Sequence, residues 1–314
     1  MEKIKTVLKD YYELDRMNVS QQQGGWAALA YKVFDDDETY FLKVYEKSRV
    51  STPKWTALID HYVPVLRWLE QNSGLKGKIP VPLMTKHGEY KCENEDAIYL
   101  LYQYIEGETI GNRVLTKEQV CELAEIISEL HSYGEELPVV SEAIREDFDV
   151  PFIQQLRDVL EKDFNGLSAY IKEVITPHIL QIEELVDTVE SLSMKLKNGH
   201  LRMALCHTDI HNWNLMQSGP QLMLIDWEGL KLAPVEADLM FLGNHRYFED
   251  LLQTYRKVHK DYELSPEVLQ FYQGRRKMED IWEFVEQLIF DEQNDQERAE
   301  TVRYLLEELK ELSQ

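Results

Sequence analysis

Cysteine is scarce in this 314-residue chain, which carries only Cys92, Cys121 and Cys206 and no C-x-x-C pair. An odd count without that spacing supplies neither a disulfide framework nor a zinc knuckle, and a reducing cytoplasm is the expected compartment. Long apolar runs are missing too. AIYLLY at 97–102 falls far short of the ~20 residues that span a bilayer. The opening MEKIKTVLKDYY interleaves charge with apolar residues, unlike a secretory signal, so no membrane association is expected. Basic side chains are outnumbered, 34 Lys and Arg against 57 Asp and Glu, for a net charge of -23. That balance withholds the basic patch that binding nucleic-acid phosphates requires. No G-x-x-x-x-G-K-[ST] loop occurs, which excludes a P-loop enzyme, and no repeat, heptad array or low-complexity tract is present.

What the chain has in excess is acid. The clusters Asp35-Asp36-Asp37-Glu38, Glu135-Glu136 and Glu249-Asp250 stand where turns or solvent faces are expected, and there they first confer solubility. Surface charges more than about 8 Å apart are screened at physiological salt, so only carboxylates at the site itself select a partner. A small cationic partner suits such a site. The length is too great for one small core and fits two lobes.

From Asn18 to Leu101 the pattern is strand-like. WAALAYKVF and TYFLKVY flank an acidic turn, and PVPLMT and AIYLLYQYI flank HGEYKCENED, so two hairpins of one antiparallel sheet are expected. Between them Trp55, Ile59, Tyr62, Val63, Leu66 and Leu69 recur at helical spacing, which predicts one amphipathic helix on that sheet. Pro64 clashes with the carbonyl of residue 60 inside a helix, so the helix either kinks there or begins there. After Gly107 the periodicity becomes helical. Thr116 and Gln119 form a capping-box signature ahead of the stripe Val120, Leu123, Ile126, Ile127 and Leu130. Helical spacing continues through 151–197, 235–260 and 266–312. It is broken by MALCHTDIHNWNLM…LMLIDW, which reads as two short strands around the turn Ser218-Gly219-Pro220.

That interruption carries the chemistry. His207 to Asn214 reads HTDIHNWN, and Asp226 follows in LIDW. An Asp and an Asn five positions apart on a tight loop can face one point, and a second Asp closes on the same ion, which is the order phosphoryl transfer needs. Asp209 is the candidate base or hydroxyl-orienting group. Asn214 and Asp226 offer the hard oxygen donors that suit Mg²⁺. Lys43 shares one face of its strand with Phe41 and Tyr45, where it is either a snorkelling lysine or, coupled to the later motif, a contact to nucleotide phosphates. Gly24-Gly25 would let a hairpin approach those phosphates, because glycine has no side chain in the way. His207, Asp209 and His211 also read as a possible metal-ligand trio of a hydrolase, without a second cluster downstream to complete it. The alternative role for His207 is as a buried hydrogen-bonding residue that shapes the loop.

These residues resemble the aminoglycoside phosphotransferase and choline kinase superfamily. HTDIHNWN resembles its H-x-D-x-x-x-x-N loop and LIDWE its I-D-[WF]-[ED] segment. The runs GGWAALAYKV, YFLKV, ALCHTDIHNWNLM, LIDWEGLKLAPVEADLMFLG and FYQGRRKMEDIWEF are similar to the spectinomycin phosphotransferase branch, over roughly residues 20–290. The resemblance implies an α+β, protein-kinase-like bilobal fold. Its nucleotide-binding lobe, with a small antiparallel sheet, would take residues 1–105. A mainly helical lobe with the catalytic loop and acceptor site would take 106–314. It also implies transfer of the γ-phosphate of ATP, or of GTP, to a hydroxyl of an aminocyclitol such as spectinomycin. Asp209 would be the base, Asn214 and Asp226 would hold Mg²⁺, Lys43 would meet the phosphates, backbone at Gln103 to Ile105 would meet adenine, and Asp238 would brace the loop. Kinases of choline, homoserine, methylthioribose or a sugar share these features, and a noncatalytic nucleotide-binding module is the reading from another class. Two positions depart from the pattern. The helix carboxylate that pairs with the lysine falls near Asp60, and bulky Trp213 precedes Asn214 where a small residue is common.

Overall fold

The computed structural model of the chain describes residues 1–22, 24, 27–161 and 169–312. The strands in chain order are β1 (Asn18–Gln22), β2 (Leu29–Phe34), β3 (Thr39–Glu46), β4 (Cys92–Glu93), β5 (Ala97–Gln103), β6 (Glu108–Thr109), β7 (Ala204–Cys206), β8 (Leu215–Ser218), β9 (Gln221–Leu224) and β10 (Lys231–Ala233). The helices are α1 (Glu2–Tyr12), α2 (Thr52–Thr56), α3 (Ile59–Asn72), α4 (Lys117–Leu130), α5 (Phe152–Glu161), α6 (Ala169–Ile175), α7 (Ile179–Lys197), α8 (Glu236–Leu239), α9 (Phe248–Val258), α10 (Pro266–Phe290) and α11 (Asp295–Glu311). They gather into two compact units, one of Met1–Arg145 with Met203–Glu263, the other of Glu146–Arg202 with Leu264–Gln314. The architecture is α+β and protein-kinase-like, with an N-terminal antiparallel sheet followed by mainly helical chain.

In the first unit the sheet has the order β1-β2-β3-β5-β4. Tyr31 pairs with Leu42, Val33 with Tyr40, Leu42 with Leu101 and Val44 with Tyr99, so these side chains share one face of the pleat. Ile4, Val7 and Leu8 of α1 pack on that face and bury it. Each fully buried aliphatic side chain there contributes about 1.5–3 kcal/mol. The alternation sends Phe41, Lys43 and Tyr45 to the opposite face, so the lysine stands on a strand whose reverse side is fixed in a core.

The β2-β3 hairpin forms as the sequence suggests, but the second hairpin does not. Its outer strand is Cys92–Glu93 rather than PVPLMT. Pro80 and Pro82 have no N–H to donate, and the segment touches the sheet through single bonds such as Leu83 N to Leu101 O, at 2.7 Å. The helical stripe also divides. α2 ends at Thr56, and α3 starts at Ile59 and runs through Pro64, while α1 covers the face of the sheet that carries Tyr31, Leu42 and Val44. Thr116 and Gln119 make both bonds of the capping box on α4, and the five apolar residues of its stripe are buried. β8 and β9 form the expected hairpin around Gly219-Pro220.

The second unit consists of α5, α6, α7, α10 and α11. The Glu146 carboxylate is buried there, and Arg275 donates to both of its oxygens at 3.0 Å while Phe148 N donates at 2.8 Å. Asn294 and Glu297 cap α11 reciprocally. Among the described residues, no helix is long and apolar enough to cross a membrane.

Candidate active site

All side chains of the candidate site belong to the first unit. β7 pairs with β10 and delivers the chain to His207, where the backbone turns sharply: Thr208 has φ 69°. A β-branched residue in the left-handed region is strained, at a cost of about 1–3 kcal/mol, and persists only where its surroundings hold it. Asp238 of α8, fully buried, does so. It accepts from His207 N at 3.1 Å and from Thr208 N at 2.5 Å, while Thr208 Oγ1 donates to Gly229 O at 2.8 Å. A Cβ on Gly229 would stand 2.5 Å from that hydroxyl oxygen, so the approach requires glycine. His131 Nε2, 2.9 Å from Asp238, adds a buried partner on the far side.

His207 is fully buried. Its Nε2 donates to Ile225 O at 2.8 Å, and its Nδ1 accepts from Asp209 N at 3.2 Å. Both ring nitrogens are therefore used within the loop, which favours the loop-shaping role over the metal-ligand trio. His211 likewise accepts from Trp213 N at 3.2 Å through Nδ1, and its Nε2 lies 3.4 Å from Asp209 Oδ1.

Asn214 donates its amide to Asp209 O at 2.9 Å and to Asp209 Oδ2 at 2.8 Å. Its main-chain carbonyl oxygen accepts from Ile225 N at 2.9 Å, which places the asparagine backbone beside the residue preceding Asp226. Asp226 has φ 67°, a second left-handed non-glycine residue of the site. Its Oδ1 lies 2.8 Å from Lys43 Nζ. The pairs Asp209–Asn214 and Lys43–Asp226 are thus tied into one network through the main-chain bond from Ile225 N to Asn214 O. Trp213 is half out in solvent at 56% exposure, its indole facing Gly111.

Lys43 has a second carboxylate partner, Glu228, at 2.5 Å. Tyr45 donates its hydroxyl to the same Glu228 oxygen. Burial alone would lower the Lys43 pKa, but Asp226 and Glu228 outweigh it and hold the ammonium well above its ordinary value. Burial, and then the Glu228 charge, raise the Tyr45 phenol far above its usual range. The two carboxylates differ in setting: the Glu228 side chain is 8% exposed and that of Asp226 42%. Removing one partner of a buried pair costs about 3–5 kcal/mol, whereas an exposed pair contributes about 0–1 kcal/mol.

The remaining expected residues are dispersed along the first unit. Asp60 pairs with Lys91 at 2.7 Å, so the lysine it would have served has other partners. A Cβ on Gly24 would stand 2.8 Å from Ala28 O, so this position has no room for a side chain. Gly25 lies outside the described residues. Gln103 ends β5 with its side chain donating to Thr39 O at 3.3 Å, and Ile105 is half-buried just beyond. Glu228 is the residue the candidate list omits. Its signal is its place two residues after Asp226, the last letter of LIDWE.

Known proteins share sequence or fold with this chain. Protein StrN of Streptomyces griseus is 24% identical over 222 residues, 67% of this chain and 64% of that protein, so the match spans less than two thirds of the relative's length. Spectinomycin phosphotransferase APH(9)-Ia, solved in complex with ADP and spectinomycin, has the same fold, with a TM-score of 0.76 at 23% identity over 99% of this chain and 98% of that one. The choline kinase LicA from Streptococcus pneumoniae follows the same course, with a TM-score of 0.62 at 16% identity over 99% and 98%. The model of the phosphotransferase enzyme family matches residues 18–281, a span that holds every residue of the network. The chain therefore belongs to the phosphotransferase enzyme family.

Proposed function

We propose that the protein transfers the γ-phosphate of ATP to a hydroxyl group of a small cationic alcohol, an aminocyclitol of the spectinomycin type. The observation that carries the reading is the single network joining Lys43, Asp226, Asn214 and Asp209. Residues 1–105 serve the nucleotide: Lys43 neutralises phosphate oxygens, Gly24 leaves room for them at the end of β1, and the backbone from Gln103 to Ile105 meets the base. Residues 106–314 hold the catalytic loop and the acceptor. Asp209 orients the attacking hydroxyl and takes its proton as the new P–O bond forms and the bond from the γ-phosphorus to the β,γ-bridging oxygen breaks, releasing ADP. Its carboxylate is kept in place by Asn214, and the strained loop behind it by Asp238.

The donor set fits Mg²⁺. Asp226 is an accessible carboxylate, and Asn214 spends its NH₂ group on Asp209, so that its side-chain carbonyl is the donor left for a cation. When bound, the ion would offset charge on the phosphate oxygens. The aminocyclitol class, and with it a cationic acceptor, is supported by the shared fold of a protein solved with ADP and spectinomycin. The test is incubation of the purified protein with labelled ATP, Mg²⁺ and a panel of spectinomycin, choline, homoserine, methylthioribose and simple sugars, with products weighed by mass spectrometry. Phosphorylated spectinomycin is the expected product. Turnover of another alcohol without spectinomycin would move the protein to the metabolite kinases, and nucleotide binding without transfer to any acceptor would make it a noncatalytic module.

A further inference from the structure

Glu228 has no part in the roles assigned above, yet it is the more deeply buried of the two carboxylates on Lys43. It is fixed from two directions. The Lys43 ammonium lies 2.5 Å away, and the hydroxyl of Tyr45, two residues along the same strand and on the same face, donates to the same oxygen. Tyr62 of α3 and Tyr102 of β5 are buried around the pair, and burial, with the Glu228 charge adding to it, raises the pKa of both phenols. Asp60, one turn before Val63 on α3, has turned to Lys91 and is mostly in solvent. The residue that α3 turns toward Glu228 is therefore Tyr62, while its acid is committed to Lys91.

The charges argue for a division of labour. Lys43, Asp226 and Glu228 together carry one negative charge in excess. A divalent ion with a nucleotide draws on the exposed carboxylate, because Asp226 can exchange a partner with little desolvation. Glu228 cannot, since leaving it unpaired would strand a charge in a site walled by tyrosines. We propose that Glu228, oriented by Tyr45, is the positioning residue that holds Lys43 at the nucleotide phosphates when Asp226 leaves it, the place that the family resemblance gives to Asp60. This rests on the kinase reading and adds a second, metal-independent carboxylate to it.

The rival role for Glu228 is a metal ligand, and the two separate in the absence of metal. Binding of the nonhydrolysable analogue AMP-PNP should be measured by calorimetry on the full chain, once with Mg²⁺ and once with EDTA. Glu228→Gln should weaken both by about tenfold, the size of one charge-assisted hydrogen bond lost. Asp226→Asn should weaken only the first, and Asp60→Asn neither. Should the glutamine variant fail to fold, Tyr45→Phe keeps the carboxylate and removes its neutral donor, and should weaken both by about threefold. Unchanged affinity in the Glu228 variant, loss confined to Mg²⁺, or a wild type that binds only with Mg²⁺ would overturn the inference and leave the kinase reading standing. A wild type that binds no nucleotide under either condition would overturn both.

Discussion

At the scale of single residues, the site is defined by which groups are strained and which hold them. Thr208 and Asp226 both adopt left-handed backbone, and each stands beside a group with a proposed part in transfer. Asp209→Ala removes the carboxylate but not the frame, since the bonds from Asp238 to His207 N and Thr208 N are untouched. Turnover should fall by at least about 10²-fold in a steady-state phosphorylation assay, with nucleotide affinity unchanged, and an unaltered rate would refute its role as base. Asp226→Ala acts the other way, abolishing the Mg²⁺ dependence of nucleotide binding. Tight, metal-dependent ATP binding in that variant, read by calorimetry, would contradict the ligand assignment.

At the scale of elements, the most legible parts were those whose signals are local. The capping box of α4 needs only Thr116, Gln119 and the apolar stripe behind them, and both cap bonds are present. Thr116→Ala should therefore lower stability by about 1 kcal/mol in urea unfolding, and the loss should be confined to stability, with catalysis unchanged. The β8-β9 hairpin and the alternation that puts Lys43 opposite the α1 face were likewise readable from a turn and a period of two. What the sequence hid depends on partners far along the chain. Nothing near PVPLMT says that the two-residue strand Cys92–Glu93 takes its place beside β5, and nothing near Asp60 says that Lys91 claims it. Glu228 was visible as a letter of LIDWE, but its bond to a lysine 185 positions away and to Tyr45 is a product of packing.

At the scale of the molecule, the second unit carries its own electrostatic signature. Asp280 on α10 is held by Arg276 at 2.9 Å, yet burial pushes its carboxyl up to about 6. A carboxyl whose folded pKa lies above its unfolded one takes up a proton on folding, so its contribution to stability grows as pH falls from about 6 toward 4. A shift of that size corresponds to about 3 kcal/mol at most, and the side chain's partial exposure reduces it to about 1–2 kcal/mol. The stability of the wild type relative to Asp280→Asn should therefore rise by that amount between pH 6 and pH 4 in denaturant titrations. A flat difference would mean that Arg276 keeps the carboxylate ionised.

The way the chain threads its two units has a further consequence. The second is made of one internal stretch, Glu146–Arg202, and the closing stretch, Leu264–Gln314, while each group proposed to handle phosphate lies in the other. Mutation can rewrite those two stretches at length without replacing any residue of the lysine-aspartate-asparagine network. A lineage built on this plan can vary the helices of its second unit while the letters of its phosphate-handling groups stay as inherited.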